Sequence, residues 1–331
     1  MHILLIGGTG NISAACTAKL LQAGHQLSIV TRGSSVLPAG TTAVVCDRND
    51  ATAMTEATKG RNYDAVVNFL GFDTDQIEAD RQVFAGKTSQ YIFISSCTVY
   101  KKPHEQLPLT EESPLGNSYS EYAQKKEACE KLLTQWHSEG ILPVTIVRPS
   151  HTYSERWLPN PVSSAGFTVA QRLLDGKPVF VPGDGQSLWT LTADDDFAKG
   201  LTGLIGLPKA LGTIYHITSD EVLTWNQICR ETARALNVDA PQIIPVPVET
   251  ICKACPALTA GIKGDKAYHA VFDNARIKNH VDEFQCCISF REGVERSIAW
   301  YSAHPDKMVS DPGADRMFDT VLSKFLEQES K

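Results

Sequence analysis

Long apolar runs are missing from this 331-residue chain. No stretch approaches the roughly 18 apolar residues needed to cross a bilayer. The opening MHILLIGGTG has neither the charged first segment nor the extended apolar core of a secretory leader. A basic excess is missing too: 31 Lys and Arg face 38 Asp and Glu, for a formal net charge of -7. There is thus no global electrostatic footprint for nucleic acid or an anionic membrane. Cysteine is sparse, nine residues scattered over the whole length, far from the density of a disulfide-framed secreted domain. These absences lead us to expect a cytoplasmic protein with reduced thiols, no membrane association, and nucleic acid disfavoured as a partner. Two cysteine pairs stand out, Cys252 with Cys255 in CKAC and the adjacent Cys286 and Cys287. Neither has the flanking sequence of a metal knuckle or a redox turn, so no metal site is expected.

What is present is an ordinary globular composition, 42% apolar and 21% charged, with length for one large domain and a smaller lobe. In the first half, short apolar runs rich in Val and Ile fall at 2–6, 27–30, 43–46, 65–69, 91–95 and 144–147. Helix-like segments lie between them at 11–23, 50–58, 75–86 and 119–138. Strands buried on both faces and separated by helices predict an α/β fold, a doubly wound parallel Rossmann sheet. After Pro149, proline and glycine break the pattern (RPSHTY, LPNP, VPGDG, IPVPVE). We therefore expect a dinucleotide-binding domain over 1–155 with later returns to its sheet, then a smaller substrate lobe over 156–309. A C-terminal surface helix should span 310–331, with Met317, Phe318, Val321 and Phe325 as its apolar stripe. Asp194, Asp195 and Asp196 are expected to cap a helix rather than bind metal.

ILLIGGTGNIS joins the first strand to the first helix. Gly7 suits the tight turn, and Gly10 lets backbone approach a pyrophosphate held on the free N–H groups of the helix start. Gly7, Gly8, Thr9, Gly10, Asn11 and Ile12 are thus candidate cofactor contacts, with Ser13 standing where a third glycine is usual. The second strand ends in Thr31 and Arg32 rather than a carboxylate. Arg32 can pair with a 2′-phosphate that a carboxylate would repel, so NADP(H) is favoured over NAD(H). Asp47 and Arg48 follow the third strand, where Asp47 could accept from the adenine amino group. After the fourth, Asn68 to Gly71 should run along the cofactor, with Leu70 and Gly71 in contact.

In SYSEYAQKKEACEKLL, Tyr122 and Lys126 are four residues apart and share one helix face. An ammonium beside a phenol favours phenolate and lowers its pKa. The fifth strand, IFISSCTVY, ends on two hydroxyls, Ser95 and Ser96. Strand carboxyl ends face the ligand crevice in such a sheet, so Ser96 can meet a substrate oxygen and Ser95 the cofactor.

With these three elements in order, the chain resembles the extended or atypical short-chain dehydrogenase/reductases grouped as NAD-dependent epimerase/dehydratases. GGTGNIS, SSCTVY, YAQKK, RPSHTY and GDGQSLWTLTADDDFA carry the resemblance. It implies that Tyr122 is the general acid/base, that Lys126 lowers its pKa and holds the nicotinamide ribose, and that Ser96 orients the reacting oxygen. Pro149 and Ser150 would border the nicotinamide. A homodimer through the Tyr122 helix and the one before it is also implied.

Two departures bear on the substrate. Cys97 and Thr98 stand where sugar-nucleotide 4,6-dehydratases carry Asp-Glu. Trp189 stands where epimerases place an arginine on the substrate diphosphate. Cys97, Trp157 and Trp189 are therefore candidate contacts to a smaller alcohol or carbonyl compound, with His151 and Tyr153 nearby. The expected function is NAD(P)-dependent oxidation, reduction or epimerisation at a secondary alcohol or ketone. The alternative is a non-catalytic NADP(H)-binding sensor or RNA-associated protein of the atypical branch.

Overall fold

Side-chain alternation in β1 (His2–Ile6) sets the architecture. Ile3 and Leu5 enter one apolar core, Leu4 and Ile6 the other, all four fully buried. Successive residues of a strand face opposite ways, so an unbroken apolar run suits a strand covered on both sides. The computed structural model describes residues 1–34, 36–162, 166–282 and 284–330. After β1 come α1 (Ser13–Gln22), β2 (Gln26–Thr31), β3 (Thr41–Val45), α2 (Ala51–Thr58), β4 (Ala65–Asn68), α3 (Thr74–Phe84), β5 (Tyr91–Ile94), α4 (Glu121–Ser138) and β6 (Val144–Pro149). β4 and β5 repeat the alternation. Ala65, Val67, Ile92 and Ile94 join Ile3 and Leu5, while Val66, Tyr91 and Phe93 join Leu4 and Ile6.

The second half contributes β7 (His151–Tyr153), α5 (Thr168–Leu174), β8 (Val179–Pro182), β9 (Leu188–Trp189), β10 (Leu191–Ala193), α6 (Asp194–Leu204), β11 (Ile214–Ile217), β12 (Leu223–Thr224), α7 (Trp225–Ala235) and β13 (Ile243–Val246). It closes with α8 (Val248–Ala254), the single turn α9 (Thr259–Gly261), α10 (Ala275–His280), α11 (Phe290–Ala303) and α12 (Pro312–Glu329). The main sheet has the order β11-β6-β5-β4-β1-β2-β3, with every pairing parallel. The chain winds outward from β1 through β2 and β3, then crosses back to β4. A crevice therefore opens beyond the carboxyl ends of β1 and β4, where such sheets hold their ligands.

The six strands expected in the first half are present, and β11 is the late return. Helix starts follow local capping chemistry: Asp50, Asp73 and Ser120 accept from backbone N–H groups of α2, α3 and α4. The expected cap by Asp194–Asp196 is corrected, because Ala193 is the N-cap and the three aspartates form the first turn of α6. Buried Asp196 accepts from the N–H groups of Cys287 and Ile288 at 2.9 and 2.8 Å and pairs with Lys199. It fastens a distant loop rather than its own helix end.

Beyond the sheet the strands pair only two by two: β7 with β10, β8 with β13, and β9 with β12. They are held by two apolar clusters, one around Tyr153, Trp189, Trp225 and Phe290, the other around Phe180, Val246, Ile251 and Phe318. α12 docks on the second cluster through buried Phe318 and Val321, flanked by half-buried Met317 and Phe325. All nine cysteines are free. Among the described residues no helix is long and apolar enough to cross a membrane.

Candidate functional site

The glycine turn closes over the crevice as a backbone surface. Gly7 has φ +85°, and a Cβ there would meet Leu70 Cγ at 2.8 Å, so glycine is required twice over. Ser13, in the usual third-glycine place, is buried and accepts from the Gly10 N–H at 2.9 Å. α1 starts at Ile12 with no side-chain cap, leaving backbone donors at the positive end of the helix. Asn11 was expected to face a cofactor, but its side chain is committed elsewhere. Nδ2 donates to Thr152 O at 3.1 Å and Oδ1 accepts from Ser154, tying the turn to β7.

At the end of β2 a cleft of about 350 Å³ is lined by Gly7, Gly8, Thr9, Thr31, Arg32, Asp47, Arg48 and Leu70. Arg32 is exposed there and has no intramolecular partner among the described residues. Asp47 Oδ1 accepts from the Asn49 N–H at 2.9 Å, shaping the turn after β3. Arg48 lines this cleft and also pairs inward, with Nη2 2.8 Å from Asp80. Asp80 also accepts from Asn68 and from the Tyr91 hydroxyl, and burial pushes its carboxyl up to about 6. A buried carboxylate needs a cation, and Arg48 supplies it.

A second cavity, of about 390 Å³, lies at the β5 and β6 ends and gathers Gly10, Ile12, Ser95, Ser96, Tyr122, Lys126, Pro149 and Ser150. Tyr122 and Lys126, paired by their spacing, line one cavity with Ser95 and Ser96 of the strand end and with Pro149 and Ser150, which the resemblance implied. Lys126 is buried, and its Nζ donates to Gly71 O and Ile94 O, both at 2.7 Å. Glycine is required at position 71, since a Cβ there would meet Phe93 at 2.8 Å. Burial lowers the Lys126 ammonium to about 8. Ser96 Oγ accepts from the N–H and hydroxyl of Thr98 at 3.2 and 2.8 Å, so it ends the strand and also faces the cavity. Ser95 Oγ is buried without a partner among the described residues.

The expected lowering of the Tyr122 pKa by Lys126 is not found. Tyr122 is 44% exposed, yet the part of it that faces the cavity is desolvated enough to raise the phenol; the Ser96 hydroxyl draws it down, and the Asp265 carboxylate raises it further. The two lysine bonds explain this, because they hold Nζ down against the sheet, 5.8 Å from the Tyr122 ring centroid.

The same cavity is lined by Trp157, Trp189, Thr190, His151, Phe272 and Asp265. His151 lies against Trp157 at 4.5 Å between ring centroids, and Trp189 packs on Trp225 at 4.8 Å. Cys97 also borders the cavity, but its thiol is buried and donates to Arg148 O at 3.4 Å, a structural bond rather than a free contact. Asp265 is the residue the sequence concealed. It sits in a one-turn π-helix, Ile262–Lys266, far from every motif. Such turns recur at functional sites, yet nothing in IKGDK marks one. A third cavity, of about 790 Å³, lies across the glycine turn against Ala14, Ala18, Tyr153, Asp194 and Arg296. Burial first and Asp195 second push Asp194 there up to about 7.

A doubly wound sheet whose crevice meets a glycine turn on one side and a tyrosine–lysine helix on the other defines the class of NAD-dependent oxidoreductases and epimerases. The chain belongs, more specifically, to the NAD dependent epimerase/dehydratase family, whose sequence pattern matches residues 3–217. It is 26% identical over 239 residues to the 2'-dehydrokanamycin reductase of Streptomyces kanamyceticus, covering 71% of this chain and 67% of the relative. It is 28% identical over 257 residues to the chloroplast stem-loop binding protein of 41 kDa b of Arabidopsis thaliana, covering 73% and 65%. Its fold is similar to that of the UDP-glucose 4-epimerase of Thermus thermophilus in complex with NAD. There the TM-score is 0.72 at 20% identity, over 91% of this chain and 99% of that one. For dTDP-glucose 4,6-dehydratase of Bacillus anthracis str. Ames with NAD the TM-score is 0.75 at 17% identity, over 92% and 98%.

Proposed function

We propose that this chain transfers a hydride reversibly between a nicotinamide dinucleotide and a secondary alcohol or ketone, with Tyr122, Lys126 and Ser96 as its catalytic residues. The observation carrying this reading is their convergence on one cavity at the carboxyl ends of the sheet strands. On this reading residues 1–155, with β11 added, form the nucleotide-binding part, and 156–309 form most of the substrate part.

The residues present fit a dinucleotide. The turn at Gly7 admits no Cβ, α1 begins without a side-chain cap, and Ser95 Oγ is buried beside the cavity, unpartnered among the described residues. When bound, the nicotinamide supplies or accepts the hydride at the reacting carbon. The chain's own residues manage the proton and the geometry. Tyr122 keeps its proton, because burial and Asp265 hold the phenol above its ordinary value. That suits a general acid that protonates the developing alkoxide during carbonyl reduction. Lys126 has three N–H donors; two are fixed on Gly71 and Ile94, and the third is free to reach the ribose beside the nicotinamide. Ser96 sets the direction of the substrate oxygen.

We favour NADP(H), because β2 ends in Thr31 and exposed Arg32 with no carboxylate at that point. The alcohol or carbonyl compound is a small molecule. A homodimer through α3 and α4 is a further part of this proposal, tested by the oligomeric state in solution.

The test is hydride transfer from NADPH and NADH to a carbonyl panel, run beside RNA gel mobility at physiological salt. The reading predicts dinucleotide-dependent turnover that Tyr122→Phe abolishes. A mobility shift of RNA with no turnover would support the alternative suggested by the stem-loop binding relative.

A further inference from the structure

The cavity that holds Tyr122 also carries polar atoms left unsatisfied by the described residues. Trp189 Nε1, Thr190 Oγ1 and His151 Nε2 are buried with no hydrogen-bond partner among them, and all three residues line this cavity. Trp189 is 2% exposed and Thr190 1%. A buried donor or acceptor left unpaired is costly, so such groups ordinarily have partners. Trp189 can only donate, threonine can do either, and a neutral imidazole offers one of each. Burial first, and Lys266 second, hold His151 neutral, lowering it to about 3.

Asp265 completes the lining. Its side chain is 22% exposed and lines the cavity, and its carboxylate accepts no hydrogen bond among the described residues. Lys266 Nζ stands at 4.0 Å, the far edge of an ion pair, and also lies 5.7 Å from the Trp189 ring centroid. Lys102 Nζ is engaged with His104 at 3.0 Å. Of the cavity's described residues Lys126 alone is cationic, and two of its donors are committed. A diphosphate placed here would meet a carboxylate and three aromatic walls, Trp157, Trp189 and Phe272. A single ring carrying O–H or N–H donors would satisfy Asp265 and the orphaned atoms while packing against the aromatic lining at Trp157 and Phe272.

We propose that Asp265 is a specificity-determining residue which, with Trp189, Thr190 and His151, selects a hydroxylated or amino-bearing ring that carries no nucleoside diphosphate. This rests on the hydride-transfer reading above, and it names the substrate class of that same cavity.

The experiment is calorimetric titration of the dinucleotide-saturated protein with D-glucosamine, myo-inositol, UDP-glucose and UDP. Wild type should bind at least one free ring, roughly tenfold or more tighter than either nucleotide. Asp265→Asn should weaken that ring by about tenfold or more and leave the dinucleotide Kd unchanged. Asp265→Glu should restore part of the loss. An unchanged dinucleotide Kd also shows that the variant is folded. The proposal is overturned by tighter binding of UDP-glucose or UDP, by an Asp265→Asn variant that binds like wild type, or by no free ring binding at millimolar concentration. Failure of the hydride-transfer reading shows separately, as a protein that binds no dinucleotide in the preceding titration.

Discussion

The two walls of the cleft are built on different principles. The sheet side consists of parallel strands, each pairing in register with its neighbour, and its functional groups sit at strand ends or helix starts. Lys126, Ser96 and the glycine turn are each fixed by hydrogen bonds to backbone. The far side is assembled from two-stranded fragments, single turns and a π-turn, and several of its polar atoms have no partner among the described residues. Lys126, Ser96 and the glycine turn are held without a ligand, whereas Trp189, Thr190 and His151 keep atoms that only a ligand would complete. A reaction shared by many substrates needs the first kind of wall, whereas choosing among substrates needs groups that a ligand completes.

The largest expected effect belongs to the sheet side. Tyr122→Phe removes the proton donor, so kcat should fall about 10²- to 10⁴-fold, with the dinucleotide Kd measured by fluorescence unchanged. Equal loss of binding would mean that the phenol is structural, and the contrast between the walls would blur. Next comes the buried pair beneath the same helix, Arg148 with Glu130, both under 4% exposed and 2.5 Å apart. Glu130→Ala strands the guanidinium and should lower the unfolding free energy by about 3–5 kcal/mol in urea. A loss below about 1 kcal/mol would show that this wall is not rigidly held.

A pH profile follows in size. Lys126 is lowered to about 8, so it is charged below that pH and neutral above it. Carbonyl reduction should decline by up to about tenfold per unit as pH rises past 8. A profile flat to pH 10 would remove Lys126 from the mechanism. The smallest effect tests the cofactor edge. Arg32→Ala should weaken NADPH about tenfold and leave NADH nearly untouched; parallel losses would make Arg32 a general surface charge.

The same contrast decides what could be read from the residues. The strand pattern, the glycine turn and the Tyr122–Lys126 spacing are local signals, so the sheet and the meeting of Tyr122 with Lys126 in one cavity were visible in advance. The pairing of Arg48 with Asp80 had no local signal, because the two are 32 positions apart and only the fold brings them together. Tyr122 misled in the sign of its shift. Helical spacing predicts a lysine near a phenol, but not that two backbone carbonyls hold that lysine down. The aspartates at 194–196 look like a cap, and only a loop from Cys287 explains the buried one. Asp265 had no signal, since a π-turn follows from tertiary packing rather than from a sequence period.

Electron density for the protein soaked with NADPH addresses the central claim most directly. The account predicts the pyrophosphate over Gly10–Ile12 and the nicotinamide between Lys126 and Pro149, with Tyr122 Oη within hydrogen-bond reach of a carbonyl placed beside it. A dinucleotide lodged instead against Asp194 and Arg296, away from Lys126, would contradict it.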